Sequence, residues 1–225
     1  MGEGPRERDA KQCRKRVQPR CRAKPFDRTC GVARHEQEAP VQEQRIRIAV
    51  DPRQRRGWIV SRVTGKHFAD LLSERVWTKL GMEEDANLMV DPVGTPLQGA
   101  GLSATARDLA RFGETLRRGG VFNGQRVFDQ AVVDDLRRGG DREKFKASGM
   151  AFRAGYSYRN QWWILHNADG AFEASGVNGQ MLHVNPAAEM VVVKLSSHPV
   201  AGAGFTHPLT LKAWDALAGA VRQMR

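Results

Sequence analysis

The amino-acid composition changes abruptly at Gly57, and this break limits what each part of the chain can fold into. Residues 1–56 contain 16 apolar side chains, and 16 Lys or Arg against 8 Asp or Glu. Residues 57–225 contain 75 apolar side chains and a nearly balanced 20 basic and 17 acidic residues. A segment with so little apolar surface cannot offset the chain entropy lost on ordering. We therefore predict a basic, disordered segment over 1–56 and one globular domain over 57–225.

The basic segment holds all three cysteines, Cys13, Cys21 and Cys30. They lack the C-x2-C spacing of a zinc site, and an odd number of cysteines argues against a disulfide framework. No stretch approaches about 18 consecutive apolar residues, and the N-terminus has no apolar h-region. We therefore expect no membrane span and no export, so we predict a cytoplasmic location. We also expect no metal and no cofactor.

Helical patterns dominate the first part of the domain. Apolar side chains recur at helical spacing over 66–77 and again over 104–118. We expect Ser103 to cap the second of these helices, and Asp129 to cap another that runs through Leu136.

Strand patterns follow. Residues 162–165, 180–184 and 189–195 are rich in β-branched and aromatic side chains, and Asn185-Pro186 marks a turn between the last two. An amphipathic helix is predicted over 208–224. The fold class is therefore α+β, of the α/β sandwich type: an antiparallel sheet with the C-terminal helix packed on it, beside a helical region.

Several strings occur together and in order. They are Gly57-Trp58-Ile59-Val60, Leu80-Gly81-Met82, Gly101-Leu102-Ser103-Ala104-Thr105-Ala106-Arg107-Asp108-Leu109-Ala110, Gln161-Trp162-Trp163 and Ser175-Gly176-Val177-Asn178-Gly179-Gln180. Jointly they resemble the serine β-lactamase/penicillin-binding-protein superfamily in its class C-like and esterase-like branch, nearest to the 6-aminohexanoate-dimer (nylon-oligomer) hydrolases. The resemblance covers roughly 57–205 and implies the C-terminal part of an incomplete β-lactamase-like fold.

The resemblance implies an acyl-enzyme mechanism on a small amide or ester substrate. A serine of a Ser-x-x-Lys motif attacks the carbonyl, and two backbone N–H groups form an oxyanion hole. On this pattern Val177 supplies one of these N–H groups, Ser175 and Gly176 flank the substrate, Trp163 is a pocket wall, and Gln98 faces the substrate. For Trp163 plain core packing stays open, and for Gln98 a solvated loop position.

The chain departs from the family pattern at its most reactive positions. None of its serines has a lysine three residues on, and residues 1–56 contain no tyrosine for a Tyr-x-Asn/Ser motif. Tyr158-Arg159-Asn160 has the right letters but follows the helical region, and Ala174 stands where the family often has a basic residue. We expect a truncated, inactive hydrolase, with 1–56 either a basic tail or an out-of-frame segment.

Two other functions stay open at this point. The basic segment could contact nucleic-acid phosphates, but Phe26 is its only aromatic residue, so base stacking and a nucleic-acid partner are not expected. A non-catalytic relative that keeps only the binding pocket is the second alternative. The choice among linear amides, β-lactams and esters stays open, as does the oligomeric state.

Overall fold

The computed structural model describes residues 52–92, 94–202 and 204–224. The prediction of disorder for 1–56 therefore lies outside the described residues for positions 1–51. The helices are α1 (Pro52–Thr64), α2 (Phe68–Leu72), α3 (Thr78–Leu80), α4 (Ala106–Arg117), α5 (Gln130–Arg138), α6 (Arg142–Lys146) and α7 (His207–Gln223). A π-helical turn (Ser73–Trp77) joins α2 to α3, and 3-10 turns span Ala151–Arg153 and Val177–Gly179.

The strands fall into two short hairpins and one larger sheet. The hairpins are β1 (Asn87–Leu88) with β2 (Leu102–Ser103), and β3 (Val121–Phe122) with β4 (Gln125–Arg126). The sheet consists of β5 (Ser157–Arg159), β6 (Trp162–Ile164), β7 (Phe172–Ser175), β8 (Met181–Asn185) and β9 (Met190–Lys194).

Helix α1 begins earlier than the composition indicated. It starts at Pro52, so residues 52–56 are helical although the sequence pattern placed them in the aperiodic segment. A proline fits the first turn of a helix because its missing N–H would have no partner there. Gly65, a residue type that suits a helix C-cap, ends this helix: it has a φ of +68°, and its N–H bonds to the Ser61 carbonyl at 3.0 Å.

The cap of α4 differs from the prediction. Ser103 lies in β2, where it pairs with Asn87, and Thr105 is the N-cap. The Thr105 Oγ1 accepts from the Asp108 amide at 3.1 Å, and the buried Asp108 carboxylate accepts from the Glu83 amide at 2.8 Å. The helix start is therefore fixed by a local contact three residues apart and by a second contact 25 residues apart, and only the first lies within a local pattern. Asp129 caps α5 as predicted.

The larger sheet is antiparallel throughout, in the order β5-β6-β7-β8-β9. The sequence predicted three of these strands and missed β5 and β7. Strand β7 is only four residues long, Phe172–Ser175, so its polar–apolar alternation is too short to stand out. Both of its faces are covered: Phe172 and Glu173 point to opposite faces, and both are fully buried.

Helices cover both faces of this sheet. On one face, a core of apolar side chains from the sheet packs against α4 and α5; its buried members are Leu116, Val133, Leu136, Trp162, Ile164, Phe172, Leu182 and Val184. On the other face, the Trp214 ring of α7 lies 4.7 Å from the His183 ring of β8, between centroids. The predicted α+β architecture, with the last helix packed on an antiparallel sheet, is confirmed. None of the helices in the described ranges is long and apolar enough to cross a bilayer.

Candidate substrate site

Four side chains form a row across the sheet on the face that α7 covers. Strand register pairs Tyr158 with Trp163, Trp163 with Glu173, and Glu173 with His183. Directly paired residues of antiparallel strands project from the same face. The Tyr158 and Trp163 rings accordingly touch, with centroids 4.8 Å apart.

Three of the predicted site residues end the same strand, β7. Ser175 follows Glu173 by two residues and therefore shares its face, so it is a diagonal neighbour of Trp163 at roughly 7–8 Å. Gly176 comes next, with an extended backbone (φ −101°, ψ −178°), and Val177 opens a 3-10 turn. The fold therefore brings Trp163, Ser175, Gly176 and Val177 to one end of β6 and β7.

The turn at Val177 is tied to the segment that follows β9. Asn178 adopts a left-handed conformation (φ +57°) and exchanges hydrogen bonds with His198: its Nδ2 donates to the His198 carbonyl at 2.7 Å, and the His198 amide donates to the Asn178 carbonyl at 3.1 Å. The Asn178 amide also donates to the Ala201 carbonyl at 3.1 Å. In contrast, the Val177 amide donates to no acceptor in the described part of the chain, and the Val177 side chain is 65% exposed. The turn thus holds one backbone donor rigidly while leaving it unused.

Gln98 lies against helix α1. Its amide donates to the Gln54 Oε1 at 2.8 Å, and its side chain fills the space over Gly57, where a Cβ would come within 1.8 Å of the Gln98 Oε1. That Oε1 is buried without a donor in the described residues. Gln98 is thus neither a solvated loop residue nor in a described contact with Trp163 or Val177.

One member of this row, Glu173, is also the centre of a buried ionic cluster. Its partners there are Arg153 and His207. The Glu173 Oε1 accepts from the Arg153 Nη2 at 3.1 Å and from the His207 Nε2 at 2.6 Å. All three side chains are at most 4% exposed. Burial alone would raise the pKa of Glu173, but the neighbouring His183, the hydrogen bond from His207 and the charge of Arg153 lower it to about 2.

This cluster also supports the indole of Trp163. The Arg153 guanidinium lies over the Trp163 ring, 4.2 Å from its centroid, while its nitrogens bond to Glu173. Trp163 is therefore held between Arg153 and Tyr158, and its Nε1–H is buried without a described acceptor. A held aromatic wall with an unused donor can contact the polar group of a ligand.

Sequence reasoning missed this cluster. The sequence patterns assigned no role to Glu173, Arg153 or His207. The one local signal is an acidic residue inside an apolar strand, because a buried carboxylate needs partners. Within the described ranges, no group of three or more His, Cys, Asp or Glu side chains is arranged to hold a metal ion.

Comparison with known proteins identifies the family of this chain. The profile of the β-lactamase family matches residues 57–212. The 6-aminohexanoate-dimer hydrolase of Paenarthrobacter ureafaciens is 43% identical over 144 residues, which are 63% of this chain and 36% of that protein.

Solved structures agree. A Bacillus anthracis protein that carries the same hydrolase designation has a TM-score of 0.67 and 37% identity, covering 76% of this chain and 42% of its own. A β-lactamase from Mycobacterium bovis shares the fold at a TM-score of 0.53 and 22% identity, covering 75% of this chain and 60% of its own. The chain thus spans well under half the length of the two hydrolases. Because the family profile covers most of the chain, this protein belongs to the β-lactamase family.

Proposed function

We propose that this chain forms the oxyanion and substrate-wall half of a serine hydrolase that cleaves small linear amides or esters through an acyl-enzyme. The observation that carries the proposal is the unused Val177 amide, which follows the end of β7 on a turn held by the hydrogen bonds between Asn178 and His198. A rigid backbone donor costs no reorganisation when negative charge develops on a carbonyl oxygen.

The reaction follows from the family resemblance. A serine hydroxyl attacks the carbonyl carbon and loses its proton to a neighbouring base, and the carbonyl oxygen becomes an oxyanion. The Val177 N–H donates one of the two hydrogen bonds that stabilise this oxyanion. Collapse of the tetrahedral intermediate expels the amine or alcohol, and water then releases the acid from the serine.

The attacking hydroxyl is not supplied by a Ser-x-x-Lys motif of this sequence, since no serine precedes a lysine at that spacing. We therefore propose that the chain alone does not form an acyl-enzyme. Incubating the full chain with a fluorescent penicillin or a fluorophosphonate should give no covalent adduct by mass spectrometry. Stoichiometric labelling of any serine would contradict this part of the proposal.

The oxyanion role is tested by transplanting residues 57–212 into the Paenarthrobacter hydrolase in place of its matching segment. That hydrolase aligns with this chain over 144 residues, which supplies the matching segment. In this chimera, Val177→Pro should lower kcat on the 6-aminohexanoate dimer by about 10²–10³-fold, because proline removes one oxyanion donor. Gly176 already has the extended backbone that a following proline requires, and the first position of a helical turn accepts proline.

Val177→Ala is the matched control. It removes the exposed side chain but keeps the N–H, so it should retain kcat within a few-fold. An active chimera in which the proline and alanine variants turn over equally fast would refute the role of the Val177 amide.

A further inference from the structure

A cavity of about 530 Å³ lies at the other end of β7 from Val177. Its lining residues come from α5, α6, the loop between β6 and β7, and the β8–β9 turn; they are Arg137, Arg142, Ile164, His166, Asn167, Gly170 and Pro186. This volume is in the range that accommodates a small organic molecule. No function has yet been given to these side chains.

The two arginines of the cavity each keep hydrogen-bond donors unused. The Arg137 Nη2 donates to the carbonyls of Leu116 and Arg117, both at 2.6 Å, but its Nε–H is buried without an acceptor in the described residues. The Arg142 Nε donates to the Gly155 carbonyl at 3.1 Å, while its terminal nitrogens contact no described acceptor. Both guanidinium groups are thus anchored by some of their nitrogens and leave others for a ligand.

Ser157 occupies one ring nitrogen of His166. The Ser157 Oγ accepts from the Gly140 amide at 3.0 Å and lies 2.7 Å from the His166 Nε2. The other ring nitrogen, Nδ1, is therefore the one left for a ligand, and it carries the proton of the neutral ring when the Ser157 hydroxyl donates to Nε2. Burial and the charge of Arg142 lower the pKa of His166, which is consistent with this neutral ring and places the Arg142 charge near it.

The side chain of Asn167 also presents a donor to the cavity. Its Oδ1 accepts from the Ala171 amide at 2.9 Å, so its Nδ2–H₂ group is the end that stays available. The neighbouring Asp169 does not line the cavity, because its carboxylate accepts from the Asn185 Nδ2 at 2.7 Å and from Arg222. No acidic side chain is among the lining residues.

We propose that this cavity binds a small organic oxyanion, a carboxylate or a phosphate, through Arg137, Arg142 and His166. Four side chains offer N–H donors, two carry a permanent positive charge, and none offers a carboxylate. Arginine forks match the geometry of carboxylate and phosphate oxygens. Ile164 and Pro186 provide apolar wall for the carbon part of the ligand.

The test is isothermal titration of the full chain with two probes, inorganic phosphate and glutarate, at constant ionic strength. Arg142→Ala should weaken binding of the tighter probe about tenfold or more, because it removes charge-assisted hydrogen bonds. Arg138→Ala is the matched control: it removes the same charge from an exposed neighbour that pairs with Asp135 outside the cavity, and it should leave Kd unchanged. Tighter binding of glutarate identifies a carboxylate site, and tighter binding of phosphate a phosphate site.

A second measurement uses only the wild-type chain, so it does not depend on whether a variant folds: the NMR chemical shifts of the backbone amides. Addition of the tighter probe should shift the amide resonances of Asn167 and Gly170 saturably. Equal weakening by Arg142→Ala and Arg138→Ala would overturn the proposal, because it would show only unspecific attraction to positive charge. Absence of saturable shifts at Asn167 and Gly170 up to tens of millimolar probe would overturn it as well.

Discussion

Replacing Glu173 with glutamine removes the only carboxylate in contact with the buried Arg153 guanidinium among the described residues, while keeping the volume of the side chain. Arg153 is 4% exposed and Glu173 is fully buried, so water cannot solvate the Arg153 guanidinium once its carboxylate partner is gone. Removing one partner of a buried ion pair typically costs about 3–5 kcal/mol of unfolding free energy. We therefore expect Glu173→Gln to destabilise the protein by this amount at neutral pH.

The pKa of Glu173 gives a second, independent magnitude. It falls from an ordinary value of 4.5 to about 2 in the fold, a difference that corresponds to about 3 kcal/mol. Because the folded pKa is the lower one, this stabilisation is fully present above about pH 5 and is lost as the pH falls from about 4.5 towards 2. Glutamine does not titrate, so the stability difference between wild type and variant should shrink over this same range.

Urea unfolding followed by circular dichroism at pH 7 and at pH 3 measures both effects. With an ordinary urea dependence of about 1–3 kcal/mol per molar, the midpoint should fall by about 1 M or more at pH 7. Glu143→Gln is the control, since Glu143 is exposed on α6 and should change stability by no more than about 0.5 kcal/mol. A loss below about 1 kcal/mol for Glu173→Gln, or the same loss at both pH values, would refute a charged Glu173.

Three further substitutions test the packing of the helices. Gly113→Ala in α4 should lower Tm, at a cost of about 1–3 kcal/mol, because the new Cβ would come within 2.7 Å of the Val191 Cγ1. Gly219→Ala in α7 should raise Tm and add up to about 1 kcal/mol of stability, since no neighbouring atom lies within 4 Å of its new Cβ and alanine favours helix. In one thermal scan, an unchanged or higher Tm for the first variant, or a lower Tm for the second, would contradict that variant's prediction. Asp108→Ala should cost about 2 kcal/mol or more in urea unfolding, because it leaves the amides of Glu83 and Glu84 without their acceptor, and an unchanged midpoint would show that water replaces the carboxylate.

Local sequence patterns predicted those elements whose cause lies within a few residues along the chain. The left-handed Gly65, the Asp129 cap and the Asn185-Pro186 turn act within a few residues, and the C-terminal helix shows its amphipathic period directly. The predicted cap of α4 was wrong because Ser103 pairs with Asn87 in a hairpin, which no pattern along the chain showed, while Thr105 caps the helix through Asp108 three residues on.

The sequence by itself determined the family and the α+β class, and the family resemblance pointed to the Val177 amide without revealing the strand that leads to it. Only the tertiary structure decided that Glu173 is an ion pair rather than a surface carboxylate, since Arg153 and His207 lie 20 and 34 residues away from it. The cationic cavity likewise exists only where α5, α6 and two sheet turns meet. The physical reason is that burial and charge pairing depend on which distant segments share a space, whereas turns, caps and periodicity depend on neighbours along the chain.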